Sequence, residues 1–478
     1  MNLLNVMLIV LHTLAAVISA GHALLYKRDP RAALGWIAVC LMFPLAGPLL
    51  YFLFGINRVR TRAKKLDRRS PFRLHIGYER SEDEGSLPVS RLQVPPQLSE
   101  LVRASDAVTR RPLTEGNRIE VLHNGEQAYP AMLKAIEEAR HTLYLMTYIF
   151  ETNRTGQRFI EALGVATERG VDVRVMIDGI GELYSWPRAS GLLKARGVRV
   201  VRFLPPKLLP PSLHINLRNH RKILIADGLI GFTGGMNIGD RHLAAGAENA
   251  SPGMADLHFR LMGPVVTQIE RVFLTDWGFV TGEHRTWNSP SVAKTGGALC
   301  RTVVDGPNED LEKLTTILIG AVSLARRRIL IMTPYFLPNR ELIAALQAAA
   351  LRGVEVVVIL PARSNLPFVD WATRNMLWEL LRWNVRVYYQ PPPFAHTKLF
   401  LVDNHYVLIG SANIDPRSLR LNFELTVEVY EQTLSERLST YIEAIQAQSR
   451  EVSLQDMDGR PLPIRVRDAL VWLLSPYL

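Results

Sequence analysis

Apolar and polar positions fall along this chain in three regimes. Residues 3–25, LLNVMLIVLHTLAAVISAGHALL, and residues 33–54, ALGWIAVCLMFPLAGPLLYFLF, are apolar without a period and hold no Lys, Arg, Asp or Glu. Each is close to the roughly 20 residues a helix needs to cross a bilayer. Both are therefore read as membrane spans, the second kinked or re-entrant at Pro44, Gly47 and Pro48. The first lacks the basic opening of a cleaved signal peptide, and a second apolar run follows at once. From about residue 70 to 117 the pattern dissolves into mixed charge, SEDEGS and Pro95-Pro96, which reads as a linker. Beyond Ile119, helix-period segments alternate with short apolar strands.

That alternation occurs twice in the same order. AYPAMLKAIEEARHTLYLMTYIFE and RFIEALGVATERGVDVRVMID each predict a helix then a strand, and LLKARGVRVVRF adds a helix end and another strand. A loop with Pro205, Pro206, Pro210 and Pro211 follows, then NHRKILIADGLIGFTGGMN. The second half runs LTTILIGAVSLARRRILIMTPYFLP, LIAALQAAALRGVEVVVILP and LLRWNVRVYYQ, then Pro391 to Pro393 and AHTKLFLVDNHYVLIGSAN. Repetition at this length is an internal duplication. The expected fold is α/β: two pseudo-symmetric repeats, each a mostly parallel sheet covered by helices, behind two transmembrane helices. The boundaries implied are 1–57 for the anchor, 58–117 for a basic juxtamembrane segment and linker, 118–290 for the first repeat and 291–478 for the second.

The chemistry sits in the duplicated strand. His220, Lys222, Asp227 and Asn237 recur as His396, Lys398, Asp403 and Asn413, a constant 176 residues on. Residues i and i+2 of an extended chain share a face, so each His projects with its Lys. Burying an imidazole beside an ammonium is costly unless a ligand or partner repays it. Two such sets facing each other form a cradle for a phosphodiester. One imidazole attacks phosphorus, the other protonates the leaving oxygen, and cations hold the non-bridging oxygens. Asn237 and Asn413 can donate amide hydrogens to phosphate, and the Gly-Gly and Gly-Ser pairs before them would let backbone approach the anion. Asp227 and Asp403 complete each motif and are counted with the catalytic set, although their parity suits turn or orienting groups. This chemistry calls for no metal and no cofactor.

Composition adds the setting. Arg58, Arg60, Arg62, Lys64, Lys65, Arg68 and Arg69 stand against Asp67, a net +6 of the chain's +11. Positive charge beside a span marks the cytoplasmic side, so the catalytic part is expected to face the cytoplasm. The run also suits anionic lipid headgroups, and no basic, aromatic-studded groove suggests nucleic acid. Cys40 and Cys300 exclude a disulfide framework. Trp371, Trp378 and Trp383 have helical spacing and read as core. Ser411 lacks a GxSxG context, against a serine hydrolase.

The duplicated HxKxxxxD resembles the phospholipase D superfamily. RNHRKILIADG, FTGGMNIGDRHL, HTKLFLVDNHYVLIGSANIDPRSLRLNFELTVEVY, PYFLP, LLSPYL and the span PLAGPLLYFLFGINR are similar to its bacterial cardiolipin synthases. The resemblance implies one active site between phospholipase D-like repeats and a phosphatidyl-histidine intermediate. It gives His220 the nucleophile's role and His396 that of general acid and base. Lys222, Lys398, Asn237 and Asn413 would bind phosphate, while Asp256 and Glu424 would orient the imidazoles. The segment MADLHFRL departs from the family in lacking a bulky residue just before Asp256, and His258 in it reads as an ordinary, partly exposed histidine. The implied reaction joins two phosphatidylglycerol molecules into cardiolipin and glycerol at a bacterial cytoplasmic membrane. A phospholipase D-type hydrolase, or a transferase using another alcohol, is the alternative. An inactive membrane scaffold fits poorly with two intact catalytic sets.

Overall fold

The computed structural model describes residues 3–27, 30–43, 45–55, 94, 96–206, 217–244, 253–283, 292–306 and 312–475. It forms two compact units, Met1–Lys65 and Leu66–Leu478. The basic run from Arg58 to Arg69, the linker up to residue 93, Pro210, Pro211 and the last three residues lie outside the described residues.

In the first unit, α1 (Leu3–Tyr26) is the one helix among the described residues that is both long and apolar enough to cross a membrane. The second apolar run is not a continuous span. α2 (Pro30–Met42) has 13 residues, and the chain breaks before α3 (Ala46–Leu50) and a single π-helical turn at Tyr51–Gly55. The approach after the break is close: a Cβ on Gly47 would stand 2.1 Å from the Val39 carbonyl oxygen. His12 and His22, ten residues apart, differ by only about 80° around a helix, and both reach this broken segment. His12 Nδ1 accepts from Leu45 N–H at 3.1 Å, and His22 Nδ1 lies 2.7 Å from the Tyr51 hydroxyl.

The second unit is built on one sheet of 15 strands. In the first half these are β1 (Thr114–His123), β2 (Thr142–Thr147), β3 (Asp172–Asp178), β4 (Arg199–Phe203), β5 (Ile223–Ala226), β6 (Ile230–Gly234) and β8 (Leu257–Met262). In the second they are β9 (Ala298–Asp305), β10 (Arg328–Met332), β11 (Glu355–Pro361), β12 (Arg386–Gln390), β14 (Leu399–Val402), β15 (Tyr406–Gly410), β16 (Glu424–Tyr430) and β17 (Arg450–Val452). The order is β17-β12-β11-β10-β14-β15-β16-β9-β1-β8-β6-β5-β2-β3-β4. Read outward from the β9–β1 junction it is the same in both directions, apart from β17. A separate two-stranded pairing joins β7 (Met254–Ala255) to β13 (Phe394–Ala395).

The expectation of mostly parallel sheets is overturned. Only β2–β3, β3–β4, β10–β11 and β11–β12 are parallel in the large sheet, and the other ten pairings are antiparallel. Parallel neighbours need a crossover helix, which α6 (Arg154–Glu168), α7 (Ala189–Ala195), α10 (Arg340–Leu351) and α11 (Pro367–Leu381) supply. The motif strands β5–β6 and β14–β15 are instead joined by three residues each, which permits only a hairpin.

Helix α4 (Pro96–Thr109) occupies part of the stretch read as linker. It buries Leu98, Leu101 and Val102 against Leu314, Ile317, Leu318 and Ala321 of α9 (Lys313–Leu324), so the chain reaches across to the second half before building the first. α5 (Asn124–Glu138) and α6 cover the first half's core, where Phe159, Leu163, Val175 and Ile177 are fully buried. Of the tryptophans read as core, Trp371 is half-buried, whereas Trp378 and Trp383 are exposed; helical spacing places them on α11 or at its end without ensuring a partner.

Candidate active site

The HxK tripeptides are extended lead-ins, just ahead of the ladders that begin at Ile223 and Leu399. Each lead-in bonds to the opposite half. His220 N–H donates to the Phe423 carbonyl at 2.9 Å, and His396 N–H donates to the Ala255 carbonyl at 2.7 Å. The residues that follow those carbonyls are Glu424 and Asp256. Crossing the halves in this way sets each imidazole on the other half's carboxylate. His220 Nδ1 lies 3.0 Å from Glu424 Oε1 and 3.2 Å from Oε2, and His396 Nδ1 lies 2.8 Å from Asp256 Oδ2. A carboxylate on Nδ1 fixes the tautomer and leaves Nε2 for chemistry.

Both carboxylates are themselves held. Glu424 Oε2 accepts from Ser411 Oγ at 2.5 Å and Oε1 from Asn422 Nδ2 at 3.4 Å. Asp256 Oδ1 accepts from Leu257 N–H at 2.8 Å. Burial acts against ionisation of Glu424, but His220 and Lys222 outweigh it and hold the carboxyl below its ordinary value. For Asp256 burial prevails over Lys398 and the neighbouring histidines, and the pKa rises. The missing bulky residue before Asp256 does not displace it: Gly235 leaves the space, since a Cβ there would stand 2.5 Å from Asp256 Oδ2. The Gly-Gly pair therefore makes room for the orienting carboxylate, not for an anion. In the other half Ser411 occupies the corresponding place and binds Glu424 instead.

The two lysines are buried. Lys222 Nζ donates to its own histidine's carbonyl at 2.6 Å, and Lys398 Nζ does the same at 2.5 Å while lying 3.1 Å from His396 Nδ1. Burial lowers Lys222 to about 7 and Lys398 to about 8. It also lowers both histidines, with Lys398 and Lys222 pulling His396 well below its ordinary value. Two buried lysines beside two imidazoles give the site donors that an anion can use. Asn237 Oδ1 accepts from Ile149 N–H at 3.1 Å, which leaves its Nδ2 to donate; Asn413 Oδ1 is buried without a partner.

The structure places Asp227 and Asp403, counted above with the catalytic set, apart from this group. They stand beyond the far ends of β5 and β14, with φ of 52° each. Asp227 accepts from the backbone N–H groups of Arg140, His141 and Thr142 at 2.7–2.9 Å. Asp403 accepts from those of Arg326, Arg327 and Arg328, the latter two at 2.8 and 3.0 Å. They tie each motif hairpin to the start of its antiparallel neighbour, β2 or β10.

His258, read as partly exposed, and His242, which the sequence did not single out, are both buried. His258 is fully buried, packed where Gly234 has no Cβ, and burial lowers it to about 4. His242 is also buried, its ring centroid 5.7 Å from that of His396. Its Nε2 accepts from Asn237 N–H at 3.2 Å, so Nδ1 carries the proton and points 3.9 Å from Asp256 Oδ2. No signal short of the fold marks it, because nothing at +2 resembles the catalytic pattern. His242, Asp256 and His396 have ligand atoms within 4.8 Å of one another. That donor set is already engaged: Asp256 by His396 and His242 by Asn237, with the Lys398 ammonium 3.1 Å from His396 Nδ1.

Comparison with known proteins gives the geometry a family. The profile "Cardiolipin synthase, PLD-like domain" matches residues 132–277 and 318–446, and "Phospholipase_D-nuclease N-terminal" matches 14–55. The major cardiolipin synthase ClsA of Bacillus subtilis (strain 168) is 32% identical over 463 residues, 95% of each chain. A cardiolipin synthase of Geobacillus kaustophilus is 31% identical, covering 95% of this chain and 90% of its own. Among solved structures, a phosphatidylserine synthase of Haemophilus influenzae Rd KW20 superposes with a TM-score of 0.61 at 15% identity. The match covers 79% of this chain and all of the other.

Proposed function

The chain belongs to the phospholipase D-like cardiolipin synthases, and we propose that it joins two phosphatidylglycerol molecules into cardiolipin and free glycerol. The observation that carries this reading is the crossed pair of His–carboxylate contacts, which presents two imidazoles through Nε2 to one cationic pocket. In the first half-reaction His220 Nε2 attacks phosphorus, and His396, which must first take up a proton on Nε2, gives that proton to the departing glycerol oxygen. Glu424, held ionised, stabilises the charge that develops on His220. In the second, His396 takes the proton of a hydroxyl on another phosphatidylglycerol, whose oxygen displaces His220 from phosphorus. Lys222 keeps two donors beyond the carbonyl it binds, Lys398 lies against the His396 ring as well as its carbonyl, and with Asn237 and Asn413 the two would hold the non-bridging oxygens.

Transfer to an alcohol beats bulk water only if the acceptor is positioned, and good orientation reaches effective molarities of roughly 10⁵–10⁸ M. The anchor supports this by keeping the catalytic unit where phosphatidylglycerol is concentrated. We assign α1 as one span and the broken run after it as a kinked second span, with repeats at 118–290 and 291–478 on the cytoplasmic side. The test is purified enzyme in phosphatidylglycerol vesicles with a chelator present, products read by mass spectrometry. Cardiolipin and glycerol are expected, with reversal in excess glycerol. Phosphatidic acid dominating at every lipid density would instead establish the hydrolase.

A further inference from the structure

The loops after β3 and β11 occupy equivalent places in the two halves, and both end in exposed apolar side chains. The first carries Leu183, Tyr184 and Trp186, the last 84% exposed; the second carries Leu366 and runs into Phe368 in the first turn of α11, 55% exposed. Each is linked to a catalytic histidine by aromatic contacts. His220 packs 5.3 Å from Tyr148, which lies 6.4 Å from Tyr184. His396 packs 6.1 Å from Phe394, which lies 6.4 Å from Tyr335, whose hydroxyl donates to Asn365 Oδ1 at 2.7 Å. The exposed tips are thus at the rim of the site, one on each side.

The second loop continues into a third element. Phe368 packs on Trp371, and the Arg467 guanidinium lies 4.1 Å over the Trp371 ring. Arg467 belongs to α15 (Leu462–Trp472), the last of the helices, α12 to α14 being Pro416–Arg420, Gln432–Ala447 and Leu454–Asp458. α15 buries Val471 against Leu337 and Ala372. Its outer face presents Leu462, Val466 and Leu470 at four-residue spacing, all exposed. An exposed arginine accompanies each apolar group: Arg188 beside Trp186, Arg363 before Leu366, Arg465 beside Val466. None of the three forms an ion pair among the described residues.

We propose that this rim is a bilayer-docking surface: the loops after β3 and β11, with the outer face of α15, insert into an anionic phospholipid interface. The chemistry of the patch selects that partner. Tryptophan and tyrosine favour the headgroup level of a membrane, and an apolar helical stripe flanked by unpaired arginines favours anionic lipid. Its continuity with both histidines sets the site's mouth on the surface from which a lipid headgroup must be drawn, while the acyl chains stay in the bilayer. The proposal rests on the substrate being a membrane lipid, and it assigns the catalytic unit a contact of its own in addition to the N-terminal anchor.

The native cysteines Cys40 and Cys300 are buried, so single introduced cysteines can be labelled in the full-length enzyme. Trp186→Cys, Phe368→Cys and Leu470→Cys would each carry an environment-sensitive fluorophore, in phosphatidylglycerol vesicles containing acyl-brominated lipid. Leu351→Cys, exposed at the end of α10 and thus at the opposite end of β11, is the control. Quenching is expected at the three rim positions and not at the control. Rim labels quenched no more than the control overturn the proposal, as do rim cysteines that cross-link between copies without quenching. Trp186→Asp and Phe368→Asp should lower turnover on vesicles roughly tenfold more than turnover on dispersed short-chain phosphatidylglycerol. Equal losses on both substrates would indicate a structural role and also overturn it. The identity of the product, cardiolipin or phosphatidic acid, is read in the same assay and tests the proposed reaction separately.

Discussion

His220 and His396 stand at matching positions but differ in their surroundings, and the proposed division of roles follows that difference. The carboxylate of Glu424 is kept ionised beside His220, whereas burial raises the pKa of Asp256 beside His396. An ionised partner suits the imidazole that must become a cationic phosphoramidate. Either histidine replaced by Asn should lose activity by at least about 10³-fold, and the double variant should be little worse. Mass spectrometry of His396→Asn incubated with lipid should recover a phosphatidyl adduct on His220, and His220→Asn should give none; the reverse pattern exchanges the roles. The lysines set a pH limb. Lys222 at about 7 and Lys398 at about 8 lose their protons as pH rises, and a phosphodiester anion binds the protonated forms. The kcat/KM for phosphatidylglycerol, which reports the free enzyme, should therefore fall from about pH 7–8 upward. On the acid side it should hold or rise below 6.5, because His220 is lowered and stays neutral there while His396, also lowered, gains the proton it gives as general acid. A profile flat to pH 9.5 would contradict the assignment of both lysines.

The hairpins β5–β6 and β14–β15 are the elements that deliver the histidines, and they are positioned from their far ends. Asp227 holds three backbone N–H groups at the start of β2, and those bonds bring its carboxyl below the ordinary value despite partial burial. A depressed carboxylate contributes stability at neutral pH and loses it only as pH falls through the folded pKa, below 3.8. Asp227→Ala should cost about 1–3 kcal/mol by leaving those donors without their acceptor. Urea denaturation measured beside kcat should show lower stability with activity per folded molecule within a few-fold of the parent. A loss as large as that of the histidine variants would return Asp227 to the catalytic set.

At the scale of the molecule, one site is assembled from both halves and presented to a lipid. The net +6 between Arg58 and Arg69 follows the second apolar run directly, and such charge is retained on the cytoplasmic side. A reporter fused after Leu478 should therefore score as cytoplasmic, and an external score would reverse the proposed topology. α4 shows how the whole constrains its parts: a helix preceding the first half completes the core of the second.

The duplicated pattern His220-x-Lys222 and His396-x-Lys398, the alternation of helix and strand, and the apolar N-terminus were legible in the sequence because each depends on local spacing. A two-residue interval sets a face, a 3.6-residue interval sets a stripe, and an uncharged run suits a bilayer whatever lies elsewhere. Glu424 and Asp256 were reached by resemblance, and the fold shows why they matter: each lies in the half opposite its histidine. The antiparallel motif strands, the continuous sheet and the burial of His242 and His258 came from the tertiary structure alone, whereas the place of Asp227 and Asp403 at a turn was already hinted at by their parity. These depend on which segments meet across the chain, and the energy of such a meeting, a buried carboxylate between two imidazoles or a glycine making way for it, belongs to neither segment by itself.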